Sequence, residues 1–160
     1  MRSFACASFF VLMSLAVAGA SADAERSLPA FSVTSSSGAS VASSALSAQP
    51  RWLLIFVSSD CRSCDRLIES LKQWQSPQLT ARTVIVVRGS GASRYVADHK
   101  SPDLDAAWYT DEDDQGRRSL DLSSAPALVG VERGEVKWAV SGVLNDPKAV
   151  ESMVRRWVEY

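Results

Sequence analysis

Net charge of either sign is in short supply. Seventeen basic and eighteen acidic side chains leave a formal charge of −1. A nucleic-acid partner would favour a strongly basic face, and a membrane-surface binder a basic amphipathic one, so neither class fits. Histidine and cysteine are scarcer still. His99 stands alone, and Cys6, Cys61 and Cys64 are the only thiols. Covalent haem attachment needs a histidine directly after a C-x-x-C pair, and Asp65 stands there instead. A structural zinc site normally takes four ligands, more than His99, Cys61 and Cys64 supply. The chain also lacks internal repeats and long low-complexity tracts.

What is present suits one compact domain with a real core: 46% hydrophobic and 22% charged residues in a chain of 160. The first two dozen residues read as an export signal. Arg2 supplies a positive charge, Phe4 to Val17 form an apolar run, and small residues follow as Ala18-Gly19-Ala20-Ser21-Ala22-Asp23-Ala24. Cleavage after Ala20 or Ala24 is expected, giving a signal peptide over 1–24 that takes Cys6 with it. The alternative is an uncleaved anchoring helix. Export, with a periplasmic location, places Cys61 and Cys64 where disulfides persist. With no third thiol left, the pair reacts with itself or with a partner protein.

Residues 25–50 form an N-terminal extension rich in Ser and Ala. Phe31 and Val33 alternate with polar neighbours before a turn at Ser37-Gly38, which predicts a short hairpin or edge strand. The main domain is expected over 51–160. Trp52 to Val57 is a continuous apolar run, too short for a typical helix, and reads as a buried strand. A helix follows Cys61, with Leu67, Ile68, Leu71 and Trp74 on one face and Pro77 as its stop. Thr83 to Val87 predicts a second buried strand, closed by a Gly89-Ser90-Gly91 loop. A short helix over Ala92 to Lys100 and a weak strand over Ala106 to Tyr109 come next. Asp111-Glu112-Asp113-Asp114 reads as a solvated loop or helix start. Ala127 to Val131 and Val136 to Val140 flank Glu132-Arg133-Gly134-Glu135, a hairpin signal. Asp146 and Pro147 open a last helix whose apolar face carries Val150, Met153, Val154, Trp157 and Val158. This order predicts an α/β fold, a mixed sheet with helices on both faces.

The chemical centre is Cys61-Arg62-Ser63-Cys64. A cysteine at a helix N-terminus meets unpaired N–H groups and the positive end of the dipole, and both favour the nucleophilic thiolate. A second cysteine one turn on can resolve a mixed disulfide. As an inert staple the pair would close a loop of four residues, for about 2 kcal/mol at most. A metal role, such as holding Cu(I), is the third reading. Arg62 should stabilise a Cys61 thiolate, while Asp60 and Asp65 should oppose it. His99 lies on a polar stretch with no spacing that ties it to Cys61, and reads as a surface histidine.

On these residues the chain resembles the thioredoxin superfamily, especially its exported TlpA/ResA-like branch, over nearly all of the region after the leader. Leu54 to Cys64 resembles the strand that leads into the active-site helix. Ser124-Ala125-Pro126-Ala127-Leu128-Val129 looks like the loop whose proline is cis and faces the dithiol. The resemblance implies a thioredoxin-like fold and a monomeric thiol–disulfide oxidoreductase without a cofactor. It implies a cis Pro126, an Ala125 backbone that receives a substrate strand, and cysteine-containing exported clients. It points to reduction rather than oxidation, with electrons from a membrane-bound donor. Three positions depart from the family pattern. Asp60 stands where tryptophan is usual, Ser63 where proline is common, and Ile55 where thioredoxin itself carries a buried acid. These departures also fit a non-catalytic binding or assembly module on the same fold.

Overall fold

A computed structural model of the chain describes residues 26–74, 76–142 and 146–159. The leader expected over 1–24 lies outside them. Among the described residues no helix is long and apolar enough to cross a membrane.

The strands are β1 (Arg26–Ser27), β2 (Ser32–Ser35), β3 (Ser40–Ala42), β4 (Arg51–Ser58), β5 (Thr83–Arg88), β6 (Ala107–Asp111), β7 (Ala127–Glu132) and β8 (Glu135–Ser141). The helices are α1 (Arg62–Trp74), α2 (Pro77–Ala81), α3 (Ala92–His99), α4 (Gln115–Ser119) and α5 (Pro147–Glu159). All eight strands join one sheet in the order β1-β8-β7-β4-β5-β6-β2-β3. β4 lies in the middle, parallel to β5 and antiparallel to β7. Its apolar run is continuous because both its faces are covered. Leu53, Ile55 and Val57 enter one core, and Trp52, Leu54 and Phe56 enter the other.

The connections β4–α1–β5 and β5–α3–β6 both join parallel neighbours and advance in the same direction across the sheet. Right-handed crossovers that advance the same way put their helices on one face. α1 and α3 accordingly share a core with α5 and with Leu79 of α2. The opposite face carries Phe31, Val33, Leu46, Leu120 and Leu122, with α4 as its single α-helix among the described residues. Helices thus flank both faces of the mixed sheet, as expected, but four stand on one side.

The hairpin expected around Ser37-Gly38 forms as β2–β3 and lies at a sheet edge, β2 pairing with β6. The β7–β8 hairpin turns on Arg133 and Gly134, with φ of 51° and 82°. That pair of left-handed residues matches the right-handed twist of the flanking strands. Asp146 accepts the N–H groups of Lys148 and Ala149 at 3.0 and 3.1 Å, capping α5 as predicted.

Two readings need correction. Pro77 does not stop α1. That helix ends at Trp74, and Pro77 opens α2, where its missing N–H costs nothing and Ser76 caps Leu79 N–H at 3.3 Å. The acidic run does precede a helix, but half of it is not solvated. Asp111 is 4% exposed and accepts the N–H groups of Gln115 and Gly116 at 2.9 and 2.8 Å. Asp114 grips Arg117 at 2.6 Å. Glu112 and Asp113 are exposed.

Candidate active site

Cys61 lies just after β4 and directly before α1. Its carbonyl accepts the N–H groups of Cys64 at 2.9 Å and Asp65 at 3.3 Å, so it occupies the cap position of the helix. The two sulfurs are joined as a disulfide. They are not equivalent. Cys64 is fully buried, in the same core as Ile55, whereas Cys61 is half-buried. The Cys64 N–H points at Cys61 Sγ from 3.2 Å, and the Ser63 hydroxyl lies at the same 3.2 Å. On reduction these become two donors to a Cys61 thiolate, added to the positive end of α1. Cys64 Sγ faces the Ser58 N–H at 3.4 Å.

The Ala125–Pro126 bond is cis, and the Ala125 carbonyl oxygen lies 3.8 Å from Cys61 Sγ. Pro126 is buried, and its carbonyl accepts Gly142 N–H at 3.0 Å. The loop therefore stands against the reachable sulfur and is held from behind by Gly142, just after the end of β8.

Asp60 is exposed, and the Ser58 hydroxyl donates to its carboxylate. That bond, a second from its own backbone N–H and the attraction of Arg88 hold the Asp60 carboxyl below the usual carboxylate range. Its negative charge persists beside the dithiol. Arg62 is exposed and makes no ion pair among the described residues.

No protein-family profile matches the sequence, and no curated protein matches it. Solved structures do. A Chlorobium tepidum protein assigned as thiol:disulfide interchange protein DsbE superposes with a TM-score of 0.66 at 19% identity, covering 86% of this chain and 99% of its own. The chain has a thioredoxin fold. A secreted Mycobacterium tuberculosis disulfide oxidoreductase, homologous to DsbE of E. coli, matches with a TM-score of 0.61 at 17% identity, over 79% of this chain and 95% of its own. The exposed lipoprotein thioredoxin of Streptococcus pneumoniae matches at 0.59 and 12% identity, over 79% and 98%.

Within this thioredoxin fold Cys61, Cys64, Ala125 and Pro126 come together, Asp60 borders them, and Arg62 stays unanchored. The sequence reading missed the residues behind them. Tyr95 donates its hydroxyl to Asp65 Oδ1 at 2.9 Å, and His99 Nε2 lies 3.7 Å from the same oxygen. His99 is therefore no plain surface histidine. Its side chain is 23% exposed, and its ring stacks on Tyr95 with centroids 3.9 Å apart. The signal was topological. Two successive crossovers in one direction set α3 beside α1, whereas spacing along the chain carries no trace of that.

Proposed function

We propose that the chain is an exported thiol–disulfide oxidoreductase that exchanges disulfides with cysteine-containing client proteins in the periplasm. The observation that carries this reading is the asymmetry of the pair. One sulfur is reachable and supplied with donors at 3.2 Å, and the other is sealed in the core. A structural staple has no need of that difference.

With the dithiol reduced, the Cys61 thiolate attacks a client disulfide, forming a Cys61–client bond and releasing one client thiolate. Cys64 then gives up its proton and attacks Cys61 Sγ, which closes the Cys61–Cys64 bond and releases the second client sulfur. Two electrons pass from protein to client. Ala125, beside Cys61, offers its backbone to the client strand. Client reduction is the proposed direction, with a membrane-bound donor restoring the dithiol, since the compartment itself is oxidising.

The test is the reduction potential and exchange rate of the pair, measured in redox buffers with differential alkylation. Rapid exchange with a potential between about −120 and −270 mV supports the oxidoreductase. Sluggish exchange below about −300 mV assigns the pair a structural role and leaves a binding module.

A further inference from the structure

Reduction of a disulfide takes up protons as well as electrons, and one proton acceptor near the motif has no part in the exchange chemistry above. His99 ends α3, where the negative end of the helix dipole favours a cation. Its Nδ1 lies 3.0 Å from the Tyr95 carbonyl oxygen. A carbonyl only accepts, so Nδ1 carries the ring hydrogen and Nε2 is the bare nitrogen of the neutral ring. Nε2 faces Asp65 Oδ1 at 3.7 Å. A neutral ring therefore sets a lone pair against a carboxylate, and a protonated ring sets an N–H there instead.

The surroundings fix this pose. Tyr95 lies under the ring at an interplanar angle of 13° and holds the same Asp65 oxygen through its hydroxyl. Burial, then the hydrogen bond to Asp65, push the Tyr95 phenol well above its ordinary range, so it stays a donor throughout. Asp65 follows Cys64 directly, and its N–H bonds to the Cys61 carbonyl. The other charges nearby are the exposed Arg62 and Arg66 on α1, Glu69 on the same helix, paired with Lys72 at 2.8 Å, and the exposed Arg94–Asp98 pair on α3 at 3.7 Å. Lys100, Asp103 and Asp105 lie beyond the end of α3. Asp65 is the carboxylate in ion-pair range of Nε2.

We propose that His99 is a positioning residue whose protonation on Nε2 is coupled, through Asp65, to reduction of the Cys61–Cys64 disulfide. This rests on the proposed function only in requiring that the disulfide be reversibly reduced. With dithiothreitol as reductant, the dithiol gives up two electrons and two protons and closes to its ring disulfide. The Cys61–Cys64 bond breaks, Cys64 takes one proton, Cys61 remains a thiolate, and His99 Nε2 takes the other proton. The new negative charge favours protonated His99. Conversely, protonated His99 offsets the repulsion between Asp65 and the thiolate, so acidification makes the couple more oxidising than its cysteines alone.

The experiment equilibrates the full chain and its His99→Gln variant with glutathione buffers from pH 5 to 8. The equilibrium constant for reduction, wild type over variant, should be about threefold higher at pH 5 than at pH 8, the size expected of a partly exposed charge pair. That corresponds to about 14 mV for a two-electron couple. A ratio constant with pH overturns the proposal. Because His99→Gln also removes the stack on Tyr95, a second measurement uses the unaltered protein. His99 is the sole histidine, so its ring proton signals need no assignment by mutagenesis. Followed by NMR, they should titrate at higher pH in the dithiothreitol-reduced protein than in the disulfide form. Coincident titrations overturn the coupling. This readout needs no client exchange, so a chain that fails as an oxidoreductase yet shows the shift separates the two ideas.

Discussion

On one face of the sheet, Leu53, Ile55 and Val57 meet four helices, and that face holds the disulfide and, between α1 and α3, the group of Asp65, Tyr95 and His99. On the other, Trp52, Leu54 and Phe56 meet Phe31, Val33, Leu46, Leu120 and Leu122, with the short α4. Both faces use the same strands, and both contain carboxylates. The second face spends its own on the backbone, as Asp111 does at the start of α4. The first leaves Asp65 facing ionisable side chains. The difference follows from the crossovers. A long helix that starts at the end of a strand offers free N–H groups and a dipole to whatever sits at its cap. A face closed by loops and one short helix needs its polar groups to hold those loops.

The sharpest way to break this contrast is to remove Cys61. Cys61→Ser should abolish exchange while lowering stability by no more than the lost four-residue loop closure, about 2 kcal/mol, in a thermal melt. Its counterpart Cys64→Ser should retain attack and accumulate mixed disulfides through Cys61, visible as adducts on non-reducing gels. Absence of such adducts under trapping conditions would remove the exchange mechanism.

The next effect belongs to the other face. A Cβ at Gly116 would lie 2.7 Å from Phe56 Cε1 and 3.0 Å from Phe31 Cε2, in a packed core. Gly116→Ala should cost about 2 kcal/mol in denaturant titration, with the alkylation rate of reduced Cys61 in the folded protein unchanged. A neutral substitution would mean that these two rings yield easily. Asp111→Asn, which keeps one acceptor oxygen of two, should cost about 1 kcal/mol by the same measurement and also leave the thiol alone.

The smallest effect is electrostatic. The Ser58 hydroxyl keeps Asp60 charged to a lower pH than an ordinary aspartate. Asp60→Asn should therefore lower the pH at which reduced Cys61 becomes a thiolate, by a few tenths of a unit. The sign has a limit in acid. As pH falls through the depressed Asp60 value the wild-type charge is lost, and the two proteins should converge. Iodoacetamide rates against pH check both halves. An identical profile would remove Asp60 from the chemistry of the site.

The centre of the fold was legible in the sequence because local pattern and burial agree there. Trp52 to Val57 is a buried strand, and Leu67, Ile68, Leu71 and Trp74 are all buried. The Arg133-Gly134 turn needed two left-handed residues and left a plain sign. β1 was invisible because two residues carry no periodicity. α2 was missed because a proline stops one helix and opens another with equal ease. The buried half of the acidic run looked solvated because composition cannot say which carboxylates turn inward. Of the site, Cys61, Cys64, Ala125 and Pro126 were visible from motif and resemblance, since they sit in two short segments. The grouping of Asp65, Tyr95 and His99 was not, because it exists only across two helices.

The extension also sets an order in time. Arg26 and Ser27 pair with Val136 and Glu135, and Thr34 and Ser35 pair with Thr110 and Tyr109, so the first segment of the sheet borders both ends of it. A chain delivered amino end first presents these strands long before their partners have emerged. Of the strand pairings, β1 with β8 joins the residues most distant in sequence, and such contacts form slowly. The strand that arrives first is the last to be seated, and until β8 appears the β7 margin of the sheet stands open to other chains.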